Sequence, residues 1–586
     1  EGNKTGCYNI ALGAQSLYLA NSGSYNFAAG YCALYNNWGG DRNTAIGWQA
    51  LKNNSTGINN TAIGYLTLAS NSTGHNNVAM GNTAMYANTT GYYNNALGSG
   101  ALGNNTTGYG HNALGNNALQ SNTTGNFNNA LGPFALEKNT TGGNNNALGY
   151  GALRCNTTGR ENTAIGYQSL YSNISGCHNF ASGCLALYSN WGGCYNTGIG
   201  YGALCQNTTG DYNTAIGYRA LCQNTTGEDN IGIGKNALFD ITTGSYNVAI
   251  GRCALINTTD GSSNVAIGYS SMRDATGGAT NVAIGSNVLC LNTTGCCNIG
   301  LGNQSMATNK TGDYNVALGT QSLFLANSGD HNFAAGQSAL YSNWGGCYNT
   351  AIGFEALYSN TTGCHNNALG LYALRTNTTG CGNAAIGGYA LCGNTTGCFN
   401  TAMGCYALRK NTTGCYNTAI GCNALCGNTT GKHNTALGFR ALNTSLSGDY
   451  NFAAGGDTLY NNWGGDSNTA IGYGVLLSNT TGGYNTGIGY AALASNTTGT
   501  NNFGAGQQIL YSNTTGGYNT AMGYAALWAN TTGANNVALG TLALNKNTVG
   551  DHNTALGSNA LCGSLSGDYN FAAGLCALYS NWGGCE

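Results

Sequence analysis

Charge is what this sequence has least of. Only 6% of its 586 residues are charged, and the formal net charge is −2; soluble domains typically carry about 25%. No run or stripe of lysine and arginine occurs, which argues against a nucleic-acid partner. Long apolar runs are missing too: none approaches roughly 18 residues, so no segment reads as a membrane span. There are only seven His and no Cys-x-x-Cys pair, so neither a metal site nor a cofactor is expected. Low charge also speaks against disorder, because disordered chains combine high charge with few aromatics. This chain has 38 Tyr and is 42% hydrophobic, enough to bury a core.

What is abundant is repetition. Aligned on Asn213-Thr214-Ala215-Ile216-Gly217, the same phase recurs every 17 residues from Asn9 to Asn570, without insertion or deletion. Taking that Asn as position 1, the consensus is Asn-Thr-Ala-Ile-Gly-Tyr-x-Ala-Leu-x-x-Asn-Thr-Thr-Gly-x-Tyr, and only His111 replaces the first Asn. Positions 5 and 15 are always Gly, and position 9 is always Leu or Met. Helical repeats need units of about 33 residues, and glycines this close leave no room for a helix. The pattern predicts an all-β chain, residues 1–586 forming a single long parallel β-solenoid (β-roll) of 17-residue coils. It has about 34 coils, with two short strands per coil and the coils about 4.8 Å apart.

Six coils carry Phe at position 2: Phe27, Phe180, Phe333, Phe452, Phe503 and Phe571. In the same coils position 4 shrinks to Ala29, Ser182, Ala335, Ala454, Ala505 and Ala573. Such volume compensation is what one packed core requires. Positions 2 and 4 share a face of a strand, so both are expected inside with position 9, and position 3 outside. Five of the Phe coils also contain Asn-Trp-Gly-Gly, which marks super-modules starting at 26, 179, 332, 451 and 570. Their Trp38, Trp191, Trp344, Trp463 and Trp582 are candidates for a periodic lateral contact, although duplication history alone would give the same spacing.

The Asn-Thr-Ala-Ile-Gly core resembles the Asn-Ser-Val-Ala-Ile-Gly repeat of YadA-like trimeric autotransporter heads. It is still more similar to the Asn-Thr-Ala-Ile-Gly-Tyr-x-Ala-Leu repeats of bacterial and phage tail-fibre-like proteins. The resemblance implies an extended parallel β-roll at a surface, often trimeric and used in adhesion. The YadA coil is shorter than 17 residues, and the cysteines here are foreign to either pattern.

Of 24 Cys, ten stand at position 16. Equal positions on adjacent coils fall within the Cα separation that disulfides accept, about 4.4–6.8 Å. This makes Cys177–Cys194, Cys205–Cys222 and Cys405–Cys422 candidate bridges, with two more within the run Cys347, Cys364, Cys381, Cys398 and Cys415; free thiols are the alternative. Disulfides would imply an oxidising, extracellular or cell-surface setting. Cys7 and Cys585 lie at position 16 of the first and last coils. The chain starts mid-repeat at Glu1 without a signal sequence, as a cleaved leader or an internal piece would, and shows no cap. Head-to-tail stacking would bring Cys585 of one chain near Cys7 of the next.

Sequons recur at position 12, for example Asn54, Asn88, Asn122, Asn207, Asn224, Asn360, Asn411 and Asn513. They read either as glycosylation acceptors or as a corner motif forming a ladder of stacked amides. Tyr at positions 6, 10 and 17 should stack on successive rungs, with His interchangeable for Tyr at 17. The few acids after the corner glycine, such as Asp211, read as solvated turn residues. No paired acids or nucleophile–base set is visible, so an enzyme is not expected. The leading expectation is a self-assembling extracellular filament whose partner is the chain itself. The alternatives are an adhesin or tail-fibre shaft that binds a receptor or glycan, and an ice-binding solenoid using Thr at positions 13 and 14.

Overall fold

The computed structural model describes residues 4–580. Contacts group the chain into two units, Glu1–Thr294 and Gly295–Glu586. The first contains β1 (Ile10–Leu12) to β17 (Val282–Ile284), and the second contains β18 (Ile299–Leu301) to β34 (Phe571–Ala573). Within each unit every strand pairs in parallel with the next at an offset of 17 residues, as in Thr44↔Thr61 and Val316↔Phe333. The fold is thus an all-β parallel β-solenoid of 17-residue coils, and the described residues contain no helix.

Each coil has one strand, not two. It is three residues long and covers positions 2 to 4. The far side of the coil cannot be a strand, because its residues alternate into the left-handed region: Gln49 at position 7 has φ 54°, Leu51 at position 9 φ 52° and Arg42 at position 17 φ 56°. These residues still bond from rung to rung, as when Leu51 N–H donates to the Thr67 carbonyl at 2.9 Å. The left-handed region strongly disfavours β-branched side chains. That explains why position 9 takes Leu or Met and never Val or Ile.

The corner glycines have different reasons. Gly47 at position 5 has φ 127°, and a Cβ there would lie 2.4 Å from the Gly64 carbonyl oxygen. Gly57 at position 15 needs space alone: its Cβ would meet Asn54 Oδ1 and the Gly74 oxygen at 2.3 Å each.

Position 9 lies inside as expected, but the strand faces are the reverse of the sequence expectation. Position 3 is buried, as Ala45 and Ala164 show at 0% exposure, together with the Ala of position 8 and the Leu of position 9. Position 4 faces out, with Ile46 at 37% and Leu97 at 38%, and position 2 is half-buried or exposed. The interior is simply narrow. A Cβ on Gly198 at position 3 would already touch Leu187 Cγ at 3.2 Å, so Ala fills the space and Ile cannot enter. The Phe/Ala compensation therefore lies on the outer face.

Candidate functional site

Two buried ladders of amides run beside the Ala/Leu core. At position 1, Asn60 N–H donates to Asn43 Oδ1 at 2.9 Å, and Asn60 Nδ2 donates to the Gly74 carbonyl at 2.8 Å. At position 12, Asn54 Nδ2 donates to Asn37 Oδ1 at 2.8 Å and to the Gly57 carbonyl at 2.9 Å. The other candidate sequons repeat this. Asn88, Asn122, Asn207, Asn224, Asn360, Asn411 and Asn513 are all fully buried, and each Nδ2 is donated to the preceding Asn and to the glycine three residues on. A glycan on any of them would have to break the ladder.

His111 takes the place of Asn at position 1. It is fully buried, its Nδ1 accepts the Asn128 N–H at 3.1 Å, and burial lowers its pKa to about 4. The imidazole is held neutral because protonation would set a donor against a donor.

The cysteines of position 16 form a ladder of a kind the sequence reading missed. Cys347 N–H donates to Cys364 Sγ at 3.2 Å, and the pattern continues through Cys364 to Cys381 at 3.1 Å, Cys381 to Cys398 at 3.2 Å and Cys398 to Cys415 at 3.2 Å. Each thiol donates back to a carbonyl two residues earlier, as Cys381 does to Thr379 at 3.4 Å. Cys177 N–H likewise donates to Cys194 Sγ at 3.2 Å, and burial raises the Cys194 thiol pKa. Elsewhere the same acceptor is a carboxylate or hydroxyl. Cys194 N–H reaches Asp211 Oδ1 at 2.6 Å, and Glu228 N–H reaches Ser245 Oγ at 3.0 Å. Asp211 is therefore a rung-to-rung acceptor rather than only a solvated turn residue. The available signal was the recurrence of Cys, Asp and Ser at one position: all three can accept a hydrogen bond.

No two cysteines among the described residues are joined by a disulfide. Cys205 and Cys222 stand on adjacent rungs at position 10: hydrogen bonding from the Cys222 thiol, with the Arg219 guanidinium, lowers the Cys205 pKa to about 7. The same bond, with burial, holds Cys222 protonated. Cys405 and Cys422 are exposed at position 6. Cys7 is exposed, and its N–H donates to Ser24 Oγ at 3.1 Å; Cys585 lies outside the described residues.

Four of the five candidate tryptophans project outward, with Trp38 63%, Trp191 55%, Trp344 60% and Trp463 55% exposed; Trp582 lies outside the described residues. At two of them the rung-to-rung backbone bond is kept: Trp191 N–H bonds the next rung at Thr208, as Thr208 does at Thr225, and Trp344 N–H bonds Thr361. A hollow of about 310 Å³ beside Trp38 is lined by Lys4, Leu19, Ala20 and Asn21. The aromatic rungs stack as expected: Tyr314, His331, Tyr348 and His365 form a column with centroid spacings of 5.0, 4.8 and 5.1 Å.

Among the described residues no three His, Cys, Asp or Glu side chains group as a metal site, and no helix is long and apolar enough to cross a membrane. No protein-family model and no curated protein matches the chain.

Proposed function

We propose that the chain is the structural subunit of an extracellular filament, growing by head-to-tail stacking of solenoid coils and reinforced by thiol oxidation between neighbouring rungs. One observation carries this reading: within each unit every coil joins the next by the same parallel strand pairing in the same register, with main-chain bonds around the corners and buried amide bonds wherever Asn recurs. A coil bonded so uniformly to its neighbour can bond a coil of another chain in the same way, because exposed strand edges template further pairing. Oxidation of two rung-neighbour thiols forms one S–S bond and passes two electrons and two protons to an oxidant such as dioxygen or a small disulfide. The thiols of Cys205 and Cys222 interact from adjacent rungs at position 10, whereas those of position 16 must first leave their main-chain partners. Negative-stain microscopy of native material should show long unbranched fibres of solenoid width; isolated short particles at all concentrations would sink the proposal.

A second reading, an adhesin or tail-fibre shaft as in the YadA-like and tail-fibre-like repeats, is favoured by the outward Trp residues and the exposed Tyr columns. Flat aromatic surfaces suit glycans and receptors. Binding to a glycan panel that is lost on Trp191→Ala would support it. Ice binding gains less, because the hydroxyls of position 13 already donate to the next rung, as Thr208 does to Thr225 at 2.8 Å.

A further inference from the structure

An uncharged face runs along the strands of each unit. Positions 2 and 4 project from it, and no Asp, Glu, Lys, Arg or His stands at either position in any of the 34 strands. Position 4 is apolar in every strand except for Ser182, and Ile165, Ile284, Ile352 and Ile471 there remain 39–40% exposed. The position 4 column is thus a continuous, partly exposed apolar stripe beside a position 2 column mainly of Thr, Asn, Val and Phe, and exposed apolar surface of this extent marks an interaction site.

The compensating residues identify what covers it. Position 3 lies between positions 2 and 4 but points into the coil, so the Phe/Ala exchange does not serve the chain's own core. Nor do neighbouring rungs compensate: Phe180 lies in register with Thr163 and Thr197, and Ser182 with Ile165 and Ile199. Each Phe coil thus carries a knob in the position 2 column and a hollow in the position 4 column of the same rung. Rotating a copy by half a turn about an axis parallel to the stacking direction turns its face onto the original. That operation keeps every rung at its own level and exchanges the two columns. Phe180 then meets Ser182 of the copy, Phe333 meets Ala335, and elsewhere Thr, Val or Asn meets Ile or Leu. A half-turn about the strand direction would instead set the position 2 column against itself, and a slip of one rung would set Phe against Ile.

We propose that this face docks a second copy of the chain, parallel and in register, about a two-fold axis along the direction of coil stacking. Seventeen strands about 4.8 Å apart and about 10 Å wide give roughly 800 Å² per copy in each unit, the share that a stable specific interface buries on each partner. The proposal adds a lateral contact to the filament reading and does not depend on growth at the ends. Stacking alone would give every multiple of the 59.8 kDa chain mass, whereas two-fold pairing gives even multiples only.

The test is sedimentation of the full-length chain, alone and in mixtures. The wild type should show two chains and even multiples, with no odd species. Thr214→Lys alone and Ile216→Glu alone should each fall to single-chain steps, because the charge then faces an apolar side chain. Mixing the two should restore the paired mass, since Thr214 of one copy faces Ile216 of the other. Mixing Thr214→Lys with Ile165→Glu, three rungs away, should not. An odd-numbered or three-chain wild type, single variants that keep the paired mass, or equal rescue by the mismatched mixture would each overturn the proposal.

Discussion

At the scale of single residues, the side chains that break the repeat carry the most chemistry. His111 is the one interruption of the position 1 ladder. Its folded pKa of about 4 lies below the ordinary value of 6.5. The unfolded chain therefore binds a proton that the folded coil refuses. Stability is complete above about pH 6.5 and declines as the pH falls toward 4, by up to about 3 kcal/mol. His111→Asn restores the ladder, so the melting temperatures of variant and wild type should diverge between pH 7 and 4.5, with the variant higher in acid. Cys205 breaks the pattern in another way. With its thiol near neutrality it should alkylate at pH 7 before Cys290 and Cys392, whose thiols burial raises. Arg219→Gln should slow that reaction, and peptide mapping after brief iodoacetamide treatment reads it directly.

At the scale of the coil, the left-handed positions and the amide ladders set the rules. Leu357 at position 9 has φ 52° and is fully buried. Leu357→Ile should cost about 1–3 kcal/mol from backbone strain, whereas Leu357→Met should cost under about 1.5 kcal/mol; thermal unfolding of the two variants separates strain from volume. The position 12 ladder ends where Asn is replaced. Asn428 Oδ1 and the Ser445 hydroxyl next to it are both buried without a partner. Ser445→Asn should join Asn428 to Asn462 and stabilise the coil by about 1–3 kcal/mol, visible as slower hydrogen exchange around residues 428–462. The period, the parallel register and the stacked aromatics were legible in the sequence because every coil repeats them. The inside of the strand was not. Ala and Ile at positions 3 and 4 fit either face by alternation alone, and only the coil's width decides that Ala goes in. The clue lay on the other side of the coil. A position that admits Leu and Met but never Ile or Val marks left-handed backbone, and such backbone excludes the second strand. The acceptor role of position 16 was equally hidden, because the thiol of Cys364 and the carboxylate of Asp211 look unrelated until both are seen taking a main-chain N–H.

At the scale of the whole molecule, stability rests on main-chain bonds, buried amides and apolar packing, with almost no ionic contribution. The chain has 17 Lys and Arg against 19 Asp and Glu. Among the described residues the ion pairs are Arg154–Glu137, His178–Glu161, Arg273–Asp274, Arg375–Glu355 and Arg440–Asp457, each with at least one partly exposed partner. Exposed pairs contribute about 0–1 kcal/mol each. Salt at 1 M shortens the screening length to about 3 Å but leaves buried amide ladders untouched. The melting temperature at pH 7 should therefore shift by no more than about 2–4 °C, the size of about 1 kcal/mol in domains of 150–250 residues, between 20 mM and 1 M sodium chloride. Calorimetry across that range checks it. A large drop would mean that the scattered ion pairs hold the coils together, and a large rise would mean that self-repulsion limits them. Insensitivity to salt is what an assembly built on an uncharged strand face and rung-to-rung bonds requires, since neither term is weakened by ions in the surrounding water.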